Sequence, residues 1–68
     1  MTEVDTRGLS CPIPVIETKK ALKAHPEGVI VQVDAVAPRE NVCRFASAMG
    51  YEANVTTTSW GWSIEIKK

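Results

Sequence analysis

Ala53-Asn54-Val55-Thr56-Thr57-Thr58-Ser59-Trp60-Gly61-Trp62-Ser63-Ile64-Glu65-Ile66-Lys67 is the stretch on which the fold turns. Ala53, Val55 and Thr57 alternate with Asn54, Thr56 and Thr58, and Trp62, Ile64 and Ile66 alternate with Ser63, Glu65 and Lys67. Ser59 to Gly61 breaks the pattern between the two runs. A period of two marks half-buried strands and the break marks a turn, so the stretch predicts an antiparallel hairpin. Trp62 points inward with Ile64 and Ile66, while Trp60 is left near the turn. Upstream, Val29, Val31 and Val33 alternate with Ile30, Gln32 and Asp34 in a further strand. Gln32, Thr56, Thr58, Ser63, Glu65 and Lys67 then share a sheet face that suits water better than a second layer of helices.

Working outward, Val42, Phe45, Ala46 and Met49 recur at the spacing of a buried helical stripe, and Gly50 follows as a terminator. Ala35 to Pro38 reads as the connection leading into that helix. From Pro12 to about Ala24 the chain is rich in helix formers, and His25-Pro26-Glu27-Gly28 supplies the stop. Thr2 to Thr6 is a short strand closed by Gly8. The order βαβαββ predicts an α+β fold, a two-layer α/β sandwich over residues 1–68. Its four-stranded mixed sheet has two helices on one face, the first three strands being parallel through helical crossovers.

Sixty-eight residues make one domain, too small for a deep enclosed substrate chamber, so any chemistry belongs at the surface. Eight Lys plus Arg balance eight Asp plus Glu, which removes the positive field that nucleic-acid binding needs. Apolar residues at 44% and charged residues at 24% match globular usage, and no apolar run approaches a membrane span. Glu3 and Asp5 at the start argue against a signal segment, so the expected compartment is the cytoplasm. In that compartment Cys11 and Cys43 are expected to remain thiols, and two thiols without clustered histidines make no four-ligand zinc site. No metal or organic cofactor is called for.

The chemistry concentrates in Cys11-Pro12-Ile13-Pro14, where a strand gives way to a helix after Arg7-Gly8-Leu9-Ser10. With Cys11 as N-cap, Pro12 is N1 and Pro14 is N3, positions whose N–H would have no intrahelical partner. Ser10 as N-cap would place Pro14 at N4 and cost a helix hydrogen bond. The spacing therefore puts Cys11 at the helix N-terminus. There the helix dipole favours an anionic sulfur, and its pKa should fall below about 8.5. The effect is moderate, because the prolines leave Ile13 as the one N–H donor among the first three positions. Ile13, preceding a proline, is itself biased away from helical angles.

A hydrolytic cysteine needs a neighbouring base, and the one histidine, His25, lies past the far end of the helix. At 1.5 Å per residue that is roughly 20 Å from Cys11. The spacing of a thioredoxin-like pair is absent too. A lone activated sulfur suits group transfer between sulfurs; the alternative is an inert small residue beginning a helix.

Asp5-Thr6-Arg7-Gly8-Leu9-Ser10-Cys11-Pro12-Ile13-Pro14-Val15, followed by Thr18-Lys19-Lys20-Ala21-Leu22, closely resembles the signature of the TusA/SirA/YedF family of small sulfur-handling proteins. The resemblance spans essentially the whole chain. Glu40 to Ala46 and the Gly50-Tyr51 ending look most like the YedF-type branch, which is associated with selenium metabolism. The resemblance implies a βαβαββ sandwich and a persulfide carried on Cys11, the one role taken from it; Arg7, Gly8, Pro12 and Pro14 are read as support for the motif and the helix cap. TusA-type members commonly hold a second cysteine at the position of Ala46. Cys43 lies three residues earlier and inherits no role. On the flank of the apolar stripe it reads as a partly buried packing residue.

A carrier must dock a persulfide-donor protein, such as a cysteine desulfurase, and an acceptor protein in turn. Parallel first and second strands would bring Asp34, Arg39 and Glu40 to the edge that holds Cys11, and these with Trp60 are docking candidates. Lys19, Lys20 and Lys23 read as a solvated helix face. Two functions follow: a sulfur carrier that relays a persulfide, or a non-catalytic interaction module with the Cys-Pro-x-Pro turn as a structural cap.

Overall fold

The computed structural model describes residues 2–9 and 13–68. Its elements run β1 (Thr2–Asp5), α1 (Ile13–Ala24), β2 (Gly28–Val33), α2 (Val36–Ala48), β3 (Glu52–Thr57) and β4 (Trp62–Lys67). One sheet forms in the order β1-β2-β4-β3, with β1 parallel to β2 and β4 antiparallel to both β2 and β3. The first three strands therefore share a direction, as expected. β2 and β3 are not neighbours, however, because the returning β4 is inserted between them.

Alternation assigns the faces. Val29, Val31 and Val33 pair with Ile66, Ile64 and Trp62, and directly opposed residues point to one side of a sheet. With Leu22, Val42 and Ala46 from the helices they form the core, in which all but Leu22, at 5%, are fully buried. Trp62 packs against this core half-buried. On the other face Gln32 donates to Glu3 Oε1 at 2.7 Å and Lys67 lies 3.8 Å from Glu65. Thr56 there is exposed, while Gln32, Ser63 and Glu65 are half-buried by their neighbours in the sheet.

Each helix buries residues four apart and carries a proline in its first turn. In α1 these are Pro14, Thr18 and Leu22, and in α2 Pro38, Val42 and Ala46. Rows at i and i+4 are the ridges by which helices lie against a neighbouring surface. Thr18 is buried without penalty because its hydroxyl donates to Pro14 O at 2.8 Å.

Three sequence readings need correction. The segment read as a connection, Ala35 to Pro38, is mostly helix: Ala35 is the N-cap in extended conformation and α2 starts at Val36. Pro38 is then N3, where a missing N–H has no intrahelical partner to lose, so it opens the helix instead of preceding it. Met49 is 56% exposed and leaves the buried stripe, because it is the C-cap residue beyond the last core-facing turn. Thr58 leaves the wet face. It is half-buried, its hydroxyl oxygen is buried without a partner among the described residues, and its N–H donates to Gly61 O at 2.8 Å where strand pairing has ended. Among the described residues no helix is long and apolar enough to cross a membrane.

Candidate functional site

β1, β2 and β3 end at one edge of the sheet, and the hairpin link 58–61 and the start of α2 lie at that edge too. The link is drawn in by Gly61, at φ +155, where a Cβ would run into Val33 O and Asp34 Cα. Only glycine permits so close a backbone approach at that angle.

The loop after β1 is fixed at several points. Thr6, 1% exposed, sends both its N–H (3.0 Å) and its hydroxyl (2.7 Å) to Gln32 O, extending the β1–β2 ladder past Asp5. Leu9 N–H returns to Thr6 O at 3.2 Å. Gly8 at φ +79 supplies the left-handed third position of a type II turn. Its N–H donates to Asp34 Oδ2 at 3.0 Å, tying the loop to the end of β2.

Arg7 closes a clasp on the same loop. Its Nε and Nη2 each donate at 3.0 Å to the two oxygens of Asp5, and its own N–H donates to Asp5 Oδ1 at 3.0 Å. The hydrogen bonds from the guanidinium, then that from the backbone N–H, hold the Asp5 carboxyl below the usual carboxylate range. The same side-chain bond makes Arg7 hold its proton more tightly. The guanidinium also stacks on Trp60, 4.6 Å from the ring centroid, in cation–π geometry. Trp60 is thus half-buried under Arg7, a ring folded over the end of the hairpin.

A second stack stands beside the first. Arg39 lies 4.7 Å over the Trp62 ring and 3.7 Å from Glu40 Oε1. Cys43, one turn further along α2, packs half-buried against the core. Burial pushes its thiol pKa up, partly opposed by the charge of Arg39. A neutral, recessed thiol is a poor nucleophile.

Of the candidates named from sequence, Arg7, Gly8, Asp34 and Trp60 are brought into one connected cluster, and Arg39 and Glu40 pair with each other. Pro14 is fully buried in the first turn of α1. Ile13 adopts the helical conformation despite the proline that follows it. Cys11, Pro12 and the choice of N-cap lie outside the described residues. The sequence reading missed an apolar rim. Leu9 and Ile13, which flank residues 10–12, are 38% and 41% exposed, Ile16 is 45% exposed one turn on, and Val36 at the start of α2 is 51% exposed. It also missed Asp5. A carboxylate two residues before an arginine carries no periodic signal, and Ile16 could have been found from its place opposite the Thr18 and Leu22 row.

The chain matches the profile of the family described as "Sulfurtransferase TusA" over residues 2–68. It is 43% identical over 71 residues to the "Putative sulfur carrier protein" of Methanocaldococcus jannaschii, covering all of this chain and 95% of that one. With the "Sulfur carrier protein TusA" of Allochromatium vinosum it shares 42% identity over 36 residues, 53% of this chain and 47% of the other. The crystal structure of the SirA-like protein from Desulfitobacterium hafniense superposes with a TM-score of 0.90 at 37% identity, covering 98% of this chain and 96% of that one.

Proposed function

The chain belongs to the TusA family of sulfur carrier proteins, and from that premise we propose that it carries a sulfane sulfur on Cys11 and relays it between two partner proteins. The observation that carries this reading is the family match over residues 2–68, which runs through Cys11-Pro12-Ile13-Pro14.

The Cys11 thiolate attacks the outer sulfur of a donor persulfide, such as that formed on a cysteine desulfurase. The donor's S–S bond breaks, its cysteine leaves as thiolate, and Cys11 gains one sulfur with its electron count balanced. In the second step an acceptor thiolate attacks the outer sulfur and Cys11 departs. No oxidant, reductant or resident base is consumed, which fits a sulfur placed far along the chain from His25. The same displacement moves a selenium atom when the donor carries selenium in place of its outer sulfur.

Encounter with partners is served by the rim of Leu9, Ile13, Ile16 and Val36. Exposed apolar side chains grouped at one edge favour a docking surface. Arg39 and Glu40 supply charge beside it, while Arg7, already satisfied by Asp5, contributes order more than steering.

Incubation with a cysteine desulfurase and cysteine, followed by intact-mass measurement, is expected to add one sulfur to the chain. Cys11→Ser abolishes the addition and Cys43→Ser retains it. Loading that persists in Cys11→Ser overturns the assignment. A Cys11 pKa at or above the free-cysteine value, with slow alkylation, favours instead an interaction module capped by the prolines.

A further inference from the structure

At the opposite edge of the molecule the C-terminal halves of α1 and α2 part to leave a groove of about 420 Å³. Leu22, Phe45, Met49, Tyr51 and Pro26 form its floor and walls, and Lys19 and Lys23 stand along one side. Its character is apolar, and Met49, left over from the helix stripe, is 56% exposed within it. Tyr51 is braced by a 3.3 Å hydrogen bond from its hydroxyl to Pro26 O, so the wall is fixed before any ligand arrives. Lys20 lies 3.9 Å from Glu17, whereas Lys19 and Lys23 have no ion-pair partner among the described residues.

We infer that this groove is a docking site for an acidic amphipathic helix of a partner protein. The lining demands apolar anchors, and two uncompensated ammonium groups beside it demand carboxylates. Lys19 and Lys23 are one helical turn apart, a spacing that carboxylates at i and i+3 or i+4 of a partner helix reproduce. The groove is about half open to solvent. A small-molecule pocket ordinarily covers 70–90% or more of its ligand, while an open apolar trough is closed by a ligand with bulk of its own, as in helix-in-groove recognition. The groove begins at Lys19, about 9 Å along α1 from Ile13, and runs on past the helix end to Pro26, in the half of the molecule away from the Asp5–Arg7–Trp60 clasp. A partner seated there leaves that edge open to a second protein. The inference does not rest on the chemistry of Cys11.

The test uses the full chain and a fluorescein-labelled designed peptide of about eighteen residues, long enough to form a helix. Leu occupies positions i, i+4 and i+7, Glu flanks them, and a second peptide has Lys in place of every Glu. Fluorescence anisotropy is expected to show saturable binding of the acidic peptide. That binding should weaken about tenfold or more in the Lys19→Glu/Lys23→Glu double variant and in Met49→Asp. The basic peptide should bind the double variant better than the wild type. All three positions are solvent-facing, and circular dichroism confirms that the variants remain folded. Equal binding of both peptides to the wild type, or unchanged binding of the acidic peptide to the double variant, overturns the proposal. So does displacement of the peptide by stoichiometric decanoate, which assigns the groove to a small amphipathic anion. Cys11→Ser leaves the expected result intact, so failure of sulfur loading and failure of this docking site are read separately.

Discussion

Thr6 ends the β1 ladder with two donors on one acceptor, Gln32 O, and it is fully enclosed. Thr6→Val keeps the shape and the backbone bond but deletes the hydroxyl, so urea denaturation should register a loss of about 1 kcal/mol. Asp5 gives the loop a dependence on acid. Because its folded pKa is lowered, its stabilising effect is present above the unfolded carboxylate value and is lost as pH falls through the folded one. Below about pH 4 the wild type should therefore lose stability more steeply than Asp5→Asn, as measured by thermal melts across that range. The group is solvent-exposed, so the difference is small and shrinks in salt. Cys43 titrates with the opposite sign. Its raised pKa favours the folded state at neutral pH, and that contribution fades as pH climbs above the value of an unfolded thiol. In Cys11→Ser, iodoacetamide at pH 8 should accordingly label Cys43 more slowly than free cysteine, and unfolding should restore the ordinary rate.

Among the elements, the β3–β4 hairpin depends on Gly61 for its approach to the end of β2. Gly61→Ala forces a side chain into Val33 O at an unfavourable φ, so a destabilisation of about 1–3 kcal/mol is expected by urea titration. Trp60 fluorescence should shift as its stack with Arg7 loosens. The hairpin itself was legible because Ile64 and Ile66 alternate with Glu65 and Lys67 on a sheet with one wet face. The opening of α2 was not, because a proline at N3 and one in a connecting loop look alike until the register of Val42 and Ala46 is followed back to Pro38. Met49 fits the helical period yet misses the core, since a period says which side a residue faces and not where the facing layer stops. The Asp5–Arg7–Trp60 clasp stayed hidden for a further reason. It joins residues more than fifty positions apart through a turn whose shape no alternation encodes.

For the whole molecule, β2 and β4 are paired on both sides while β1 and β3 each keep one open edge. Native-state hydrogen exchange should find the amides of Val31 and Ile64 among the slowest, and the outward-facing amides of β3 among the fastest in the sheet. Ordinary exchange across β3 and protection concentrated at β1 would contradict this ranking. The two helices leave the molecule with distinct ends, a loop edge bearing the Asp5–Arg7–Trp60 clasp and a groove edge bearing Met49 and Tyr51. The insertion of β4 between β2 and β3 has a temporal counterpart. β4 follows β3 in the chain and is the strand that joins it to β2, so a nascent chain still holding Trp62 to Lys67 inside the ribosome can pair β1 with β2 but leaves β3 without a strand partner. The four-stranded sheet is complete only once Trp62 to Lys67 have emerged, and a stop codon placed before Ile64 should yield a chain that proteases clear instead of a shorter working domain.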